Sequence, residues 1–336
     1  MTGFKKGIVA AAAICLLALT GTAIYAGGSS ESKSEETYEM VVANVLTGSH
    51  THSMALAHFA ERCDELTDGR LELTVHNDGV LGAERVVMEQ VQLGSTEFTR
   101  TSAAVLTGIV PEIAVFGLPY LFDSVSQMYE ALDGDLGNYF KDKLEKEGLL
   151  VLGWFDYGAR SVIAKEPVRS PDDLVGKRIR VQESPLDVKT FKAFGAAPVP
   201  LPWPDQYPAL DSGVIDATEN SPDTLYDGRF HEVVKYLSLT EHFIQPTVLY
   251  VSKIVFEKFP KDIQDAVRQA GKDAVAFVQE HQADRIEERL ESLQDEGAII
   301  VEDVNKDAFR AKAVSVYDEF LSEHAELQPF IDEIRK

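Results

Sequence analysis

The stretch Gly176-Lys177-Arg178-Ile179-Arg180-Val181-Gln182 is the part of the sequence on which the prediction of the fold depends. Its alternation of apolar and charged residues is typical of a short strand, because successive side chains of a strand point to opposite faces of a sheet. Ile179 and Val181 then share one face, and Arg178 and Arg180 share the other. Two interpretations of these arginines remain open. They are solvated surface residues, or one of them is a fixed cation that faces an anion.

The segments that follow this strand carry further recognisable motifs, which lie at residues 194–200, 207–217 and 219–220. Together they resemble the signature region of the substrate-binding proteins of tripartite ATP-independent periplasmic (TRAP) transporters of the DctP type. The upstream run Phe116-Gly117-Leu118-Pro119-Tyr120-Leu121-Phe122 is also similar to a pattern of this family. The resemblance extends from about residue 38 to residue 321 and is most specific over residues 160–220.

The resemblance implies roles for three residues. In the family the arginine of the corresponding strand clamps the ligand carboxylate, and this places that role on Arg180. A planar guanidinium forms two parallel hydrogen bonds with a carboxylate, whereas a lysine cannot. Arg160 stands where the family often has a second ligand contact, and a salt bridge that supports the hinge is the alternative. Asn220 matches the family asparagine that donates to the ligand, although Ser221 here separates it from the proline.

Five further residues are candidates for contacts with ligand hydroxyls. Glu84, Arg85 and Arg100 lie in segments that look more like the TRAP proteins for sugar acids such as uronates, and surface charge is the alternative for each. A polyol requires acceptors as well as donors, which an acid beside arginines supplies. His52 lies where a helix is expected to begin, so it either caps that helix or contacts the ligand. Asp223 either accepts from ligand hydroxyls or caps a helix, and capping is the preferred interpretation.

The sequence predicts no metal site, no cofactor and no enzyme motif. His50 and His52 lie two residues apart, but the spacing fixes no third metal ligand. Cys63 is the only cysteine beyond the first 26 residues, so no intrachain disulfide is expected there. Nucleophile-elbow, zinc-protease, phosphate-loop and dinucleotide motifs are absent from the sequence. Tyr157, Trp203 and Phe122 either stack against a sugar ring or belong to the core.

The amino terminus has the pattern of a secretory signal peptide, with Lys5 and Lys6 before an apolar run at residues 8–24 and small residues at 26–28. We expect cleavage of residues 1–26, with a retained anchor as the alternative, and a flexible leader at residues 27–37. The protein would then be periplasmic. The 32 basic and 55 acidic residues give a formal charge of −23, which argues against nucleic acid and anionic membranes as partners.

Strands that alternate with helices predict an α/β fold with a parallel or mixed sheet covered on both faces. The resemblance implies a two-lobed, periplasmic-binding-protein-like fold, with lobe I at residues 38–157 and 246–285 and lobe II at 158–245 and 286–336. Crossing strands are expected at residues 149–154 and 247–252. A single helix is expected at 126–147. A long helix at 260–294 would join the lobes, unless it is a bent pair broken near Gly271 or His281.

The function implied by the resemblance is that of a secreted, monomeric solute-binding protein. It would capture a carboxylate-bearing small molecule, such as a hexuronate or related sugar acid, between its lobes and deliver it to the membrane permease subunits, without catalysis. A binder of C4-dicarboxylates or other organic acids is the alternative within the family. A secreted sugar-acid enzyme and a chemosensory binding protein are the alternatives from other classes.

Overall fold

The computed structural model describes residues 36–336, so the predicted signal peptide and nearly all of the predicted leader lie outside the described residues. The strands are β1 (Tyr38–Ala43), β2 (Leu71–His76), β3 (Phe98–Ser102), β4 (Leu149–Ala164), β5 (Arg178–Val181), β6 (Ala197–Pro200), β7 (Ala217–Asn220), β8 (Tyr236–Ser252) and β9 (Ile299–Val301). The helices are α1 (Thr51–Leu66), α2 (Glu84–Leu93), α3 (Ala103–Leu106), α4 (Val125–Asp133), α5 (Asp135–Lys146), α6 (Pro185–Ala193), α7 (Gln206–Asp211), α8 (Pro222–Asp227), α9 (Lys253–Phe256), α10 (Lys261–Asp295), α11 (Lys306–Glu323) and α12 (Gln328–Ile334).

These strands form one mixed sheet in the order β2-β1-β3-β8-β4-β7-β5-β6, with β9 beside β8. β1, β2 and β3 are parallel to one another, and so are β5, β6 and β7. Between these two halves lie β4 and β8, which pair with each other in antiparallel fashion along most of their length. The predicted α/β fold with a mixed sheet is therefore confirmed. The predicted lobe boundaries stay a prediction.

Each half of the sheet has apolar cores of its own, because helices cover both of its faces. The cores of the β1–β3 half contain Phe59 and Phe98 in one cluster and Phe116 and Phe140 in another. The cores of the β5–β7 half contain Phe191 and Phe230 in separate clusters. These side chains are almost completely buried. The clusters are linked through α6, since Leu186 belongs to the cluster of Phe116 and Phe140, whereas Phe191 of the same helix belongs to a core of the other half.

The longest helix, α10, is continuous over 35 residues and would be about 50 Å long at 1.5 Å per residue. The single long helix predicted from the sequence is confirmed, and the alternative of a pair broken near Gly271 or His281 is wrong. The helix ends at Asp295, and Gly297 follows with a φ of 89° in the left-handed region. Within residues 36–336, no helix combines the length and apolar character that crossing a membrane requires.

Gly271 allows α10 to approach β4 closely. A Cβ added to Gly271 would lie 3.0 Å from both Cβ and the carbonyl oxygen of Leu152, which is tighter than ordinary packing. On the facing strand, a Cβ added to Gly153 would lie 2.4 Å from Cγ2 of Val275. Neither position has room for a side chain, so the glycine at 271 serves close packing and does not break the helix.

We expect Gly271→Ala to lower the free energy of unfolding by up to about 2 kcal/mol, because an overpacking cost of about 1–3 kcal/mol outweighs the roughly 1 kcal/mol that alanine gains over glycine in a helix. Urea denaturation measures the change. Ala276→Gly, at an exposed position of the same helix, is the matched control. Its free energy of unfolding should fall only by the difference in helix propensity between alanine and glycine. A Gly271→Ala variant more stable than the parent would contradict the close approach.

Two predicted elements differ from the structure. The single helix predicted at residues 126–147 is wrong, since α4 and α5 are separate helices that meet at Gly134. A Cβ on Gly137 would lie 1.8 Å from the carbonyl oxygen of Leu132, so the chain folds back tightly at this junction. The crossing strands predicted at 149–154 and 247–252 exist, but they belong to strands of 16 and 17 residues.

Candidate functional site

A small cavity lies where side chains of the two halves of the sheet meet. Its lining includes apolar, aromatic and charged side chains, from Val45, Leu46, Glu84, Arg100, Tyr157, Arg160, Arg180, Gln182, Trp203 and Asn220. Arg180 and Asn220 stand at or next to the carboxyl ends of the parallel strands β5 and β7. Ligands of open α/β sheets bind beyond the carboxyl ends of the strands. The structure therefore brings five of the eight predicted site residues, Arg180, Arg160, Asn220, Glu84 and Arg100, to one cavity.

Arg180 is a buried cation with neutral hydrogen-bond partners. Its Nε donates to the carbonyl oxygen of Leu201 at 2.9 Å. Its Nη1 and Nη2 lie 2.9 and 3.2 Å from the side-chain oxygen of Gln206, in the amide orientation that also lets Gln206 donate to Thr218. Within residues 36–336, no carboxylate forms an ion pair with Arg180. Burial, reinforced by the charge of Arg160, lowers the pKa of Arg180 to about 10.

Arg178 shares the strand with Arg180 but has a different environment. Its guanidinium is half-exposed and binds both carboxylate oxygens of Asp216, at 2.7 and 3.0 Å. Arg178 is thus a solvated, neutralised surface residue, whereas Arg180 is buried and has no neutralising partner among the described residues. Of the two interpretations that the alternation leaves open, the surface interpretation describes Arg178. Arg180 is not a surface residue, and its role as a fixed cation that faces an anion stays a prediction.

Arg160 and Glu219 form a fully buried ion pair between the adjacent strands β4 and β7. Nε of Arg160 donates to Oε2 of Glu219 at 2.7 Å, and Nη2 donates to Oε1 at 2.6 Å. Nη1 donates to Oδ1 of Asn220 at 3.0 Å. Burial alone would raise the pKa of Glu219, but Arg160 and His242 lower it to about 2. The ion pair of the alternative interpretation is therefore present, and a ligand contact of Arg160 stays a prediction.

The donors around this pair are not all used. The partners named above, with the Glu219 carbonyl oxygen at 3.2 Å from Nη2, engage four of the five N–H bonds of Arg160. Asn220 accepts at Oδ1 from Arg160 and from the backbone N–H of Ser221, and its Nδ2 has no acceptor among residues 36–336. One N–H of Arg160 and the amide of Asn220 are thus available beside Arg180.

Arg100 and Glu84 form a second ion pair, on the opposite side of the cavity. Nη1 of Arg100 lies 2.8 Å from Oε1 of Glu84 and 2.8 Å from the hydroxyl of Tyr157. Nε of Arg100 donates to Asn44, whereas the buried Nη2 has no partner in the described part of the chain. Glu84 is partly exposed at the start of α2. This side of the cavity therefore offers both a donor and an acceptor.

The structure places the remaining three predicted site residues outside this lining. Arg85 reaches Glu183, with its Nε 3.4 Å from Oε1, at the edge between the halves. His52 is buried behind Tyr157 and donates from Nε2 to the carbonyl oxygen of Asp156 at 2.7 Å. Burial, with the charges of His50 and Arg100, lowers the pKa of His52 well below its usual range.

Asp223 also lies away from the cavity and connects three helices. It accepts from the hydroxyl of Thr51 in α1 at 3.0 Å and from the amide of Gln282 in α10 at 3.2 Å. The preferred interpretation of Asp223 as the cap of its helix is wrong, because α8 has no side-chain cap hydrogen bond. His50 accepts from the backbone N–H of His52, which caps α1, and its Nε2 lies 3.1 Å from Thr224.

Sequence reasoning missed three residues that shape the site. Gln206 holds the guanidinium of Arg180, Glu219 holds that of Arg160, and Gln182 lines the cavity itself. Gln182 could have been found, since it lies two residues after Arg180 and shares its strand face. Gln206 comes from a separate short helix, so no local spacing connects it with Arg180. In the described range 36–336, no group of three or more His, Cys, Asp or Glu side chains could hold a metal ion.

Comparison with known proteins identifies the family. Residues 42–324 match the model of the DctP family, described as bacterial extracellular solute-binding protein, family 7. The chain belongs to this family. A curated relative, the 2,3-diketo-L-gulonate-binding periplasmic protein YiaO of Escherichia coli, is 29% identical over 287 residues, which are 84% of this chain and 88% of the relative.

Solved structures agree with this assignment. A TRAP periplasmic solute-binding protein from Sulfitobacter sp. NAS-14.1 with bound β-D-galacturonate is 31% identical, with a TM-score of 0.86, and the match covers 89% of this chain and 99% of that one. A TRAP periplasmic solute-binding protein from Chromohalobacter salexigens with bound D-glucuronate is 34% identical, with a TM-score of 0.85, and the match covers 88% of this chain and 98% of that one. The predicted two-lobed periplasmic-binding-protein fold with its long helix is therefore confirmed.

Proposed function

We propose that this protein is the extracytoplasmic solute-binding component of a TRAP transporter and that it captures a hexuronate or a closely related sugar acid. The observation that carries the proposal is Arg180, a buried guanidinium without a carboxylate partner among residues 36–336. Burying such a charge is unfavourable unless something compensates for it. The carboxylate of a bound organic anion provides that compensation, through two parallel hydrogen bonds.

The other cavity residues suit the hydroxyls of a sugar acid. Asn220 Nδ2, the unpartnered Nη2 of Arg100 and the remaining N–H of Arg160 are donors, and the partly exposed Glu84 is an acceptor. The rings of Tyr157 and Trp203 also line the cavity and offer flat apolar surfaces to a pyranose. A C4-dicarboxylate would need a second cationic clamp, whereas Arg160 and Arg100 are already paired with Glu219 and Glu84. These pairings favour a monocarboxylate with hydroxyls.

Binding requires the two halves of the sheet to move apart. The cavity volume is about 20 Å³, far below the roughly 300–1,000 Å³ typical of small-molecule sites. Two contacts close the gap around it: Arg85 with Glu183, and Trp203 with Val45, Leu46 and Tyr157. We infer that these contacts separate to admit the ligand and re-form around it, and that the closed form is the one delivered to the permease.

We expect D-glucuronate and D-galacturonate at a hundredfold excess over their dissociation constants to stabilise the protein by about 2.7 kcal/mol, which raises the melting temperature by roughly 4 °C. Thermal denaturation of residues 27–336 measures the shift, and isothermal titration calorimetry measures the affinity. D-glucose, which lacks the carboxylate, is the matched control and should produce no shift. A shift with succinate alone would contradict the proposal in favour of a C4-dicarboxylate, and conversion of either uronate to a product would favour an enzyme.

We further propose that the chain acts as a monomer in the periplasm, that its signal peptide is cleaved, and that it performs no catalysis. The support is the family itself, whose members are extracellular binding proteins. Size-exclusion chromatography with light scattering tests the monomer, and mass spectrometry of the exported protein tests the cleavage. A mass that includes residues 1–26 would support the retained anchor.

A further inference from the structure

Asp187 is a fully buried acid that lies behind the ligand cavity and is connected to it through one side chain. It stands in the first turn of α6, where its backbone N–H donates to the hydroxyl of Ser184. Its Oδ2 lies 3.4 Å from Nε2 of Gln182, a residue of the cavity lining. The same Nε2 lies 2.8 Å from Oε1 of Gln245. Asp187 therefore helps to orient Gln182 without lining the cavity itself.

The surroundings of Asp187 stabilise a negative charge only weakly. Its Oδ1 is buried and has no partner among residues 36–336, and no cation forms an ion pair with it. Gln245 Nε2 is likewise without a partner. A buried carboxylate normally has several donors, so this arrangement suits the neutral acid better. Burial, and then the charge of Glu219, raises the pKa of Asp187 to about 7, although Arg160, Ser184 and Arg180 oppose this rise.

The balance of charge around the cavity explains why a bound anionic ligand would further stabilise the neutral form of Asp187. Three guanidinium groups, those of Arg100, Arg160 and Arg180, face two carboxylates, those of Glu84 and Glu219. One positive charge is in excess, and a monocarboxylate ligand balances it. An ionised Asp187 would then be a surplus negative charge in a buried cluster, and the ligand anion would raise its energy.

We propose that Asp187 takes up a proton when the organic anion binds, so that ligand capture is coupled to proton uptake at a carboxyl group behind the cavity. The inference rests on the proposed function, because it requires an anionic ligand at Arg180. Asp187 is a positioning residue in this scheme: in the neutral form it keeps Gln182 in place and adds no charge that opposes the ligand. Ligand affinity should then fall as the pH rises through the range in which Asp187 ionises.

Other titratable groups near Asp187 do not change charge in this range. Glu219 on β7 stays ionised, and Arg160 on β4 and Arg180 on β5 stay protonated. His242, which contacts Glu219, is buried, and burial lowers its pKa, which favours its neutral form. Between α6 and α11 the charged contacts are those of Lys189 with Glu319 and Glu323, which are partly exposed ion pairs. Asp187 is therefore the group that can couple affinity to pH.

The test is calorimetric titration of the protein with D-glucuronate at pH 7 in two buffers of different ionisation enthalpy, which gives the number of protons bound with the ligand. We expect uptake of a substantial fraction of one proton and a loss of affinity of about tenfold between pH 6 and pH 8.5, since a shift of one pKa unit corresponds to a tenfold change. Binding without proton uptake and with a flat pH profile would overturn the proposal.

Asp187→Asn is the informative variant, because an amide has nearly the shape of the neutral acid and cannot ionise. It should bind D-glucuronate at pH 6 within about threefold of the parent, with no proton uptake and no loss of affinity at pH 8.5. Asp172→Asn, at an exposed position of the same half, should keep the pH profile of the parent. An Asp187→Asn variant that still takes up a proton or keeps the slope would contradict the assignment.

A measurement without ligand separates this inference from the proposed function. In protein labelled with carbon-13 at the aspartate carboxyls, one resonance should titrate near pH 7 and should be missing from Asp187→Asn. If every aspartate titrates below pH 5, Asp187 is not a proton acceptor and the inference fails, whatever the ligand is. If the resonance titrates near pH 7 but no organic acid binds, the proposed function fails, and with it the coupling of ligand capture to Asp187.

Discussion

Replacing Arg180 by methionine is expected to weaken the binding of D-glucuronate by about 10²–10⁴-fold, because two charge-assisted hydrogen bonds of about 1.5–3 kcal/mol each are lost. Methionine has a similar length and no charge, so it fills much of the space of the guanidinium stem. Arg180→Lys should recover only part of the affinity, since an ammonium group lacks the planar fork. Calorimetric titration of the purified variants measures these losses.

The same substitution is expected to leave the fold nearly as stable as before. Methionine removes the donors to Leu201 and Gln206, which is unfavourable, but it also removes a buried charge that has no carboxylate partner in the described part of the chain. The two effects oppose each other, so the free energy of unfolding should change by less than about 1.5 kcal/mol. Arg178→Met is the control, because it removes a charge from the same strand that belongs to the half-exposed ion pair with Asp216. This variant should bind D-glucuronate with the affinity of the parent. Unimpaired binding by Arg180→Met would remove the basis of the proposed function.

The second large effect is expected at Glu219. Glu219→Gln should lower the free energy of unfolding at pH 7 by about 3–5 kcal/mol, because removal of one member of a buried ion pair leaves the other uncompensated. Asp216→Asn is the matched control, since it breaks the Arg178–Asp216 ion pair, which lies in the same half of the sheet but is partly exposed. That loss should be about 0–1 kcal/mol. Equal losses in the two variants, measured by urea denaturation, would show that burial does not strengthen the Arg160–Glu219 pair.

The loss at Glu219 should depend on pH in a definite direction. The pKa of Glu219 is lowered in the folded protein, to about 2. Its stabilisation is therefore fully present above the pKa of the unfolded chain, roughly 4.3, and disappears as the pH falls through the folded value. The difference in unfolding free energy between the parent and Glu219→Gln should accordingly shrink from pH 7 to pH 3. A difference that grows on acidification would contradict this assignment.

The sequence predicts the fold well where the pattern is local. The strand around Ile179 and Val181 and the long helix α10 follow from periodicity, and both are present. The extent of β4 and β8 could not be predicted in this way, since central strands are buried on both faces and lack clean alternation. The junction at Gly134 was missed for another reason: the backbone contact that ends α4 involves Gly137 and Leu132, and periodicity does not report such contacts.

The candidate site shows a similar division. Arg180, Arg160 and Asn220 were found through the family motif, and the cavity contains all three. Arg178 and Arg180 could not be separated by alternation, because their difference depends on Asp216 and Gln206, which come from other elements. Arg85, His52 and Asp223 have side chains suited to a sugar. They instead form hydrogen bonds with Glu183, Asp156 and Thr51, respectively, outside the cavity lining. Distant partners of this kind are set by tertiary packing, which a spacing rule does not contain.

The position of β8 in the sheet also bears on how the chain matures. β8 lies between β3 and β4, yet it is made about 90 residues after β4 and more than 130 after β3. Until residue 252 has emerged, β3 and β4 therefore each present an open edge, and the two halves of the sheet are not joined. A nascent chain released before that point would expose two unpaired strand edges at once. We therefore expect truncation products that lack β8 to be bound by chaperones and to aggregate.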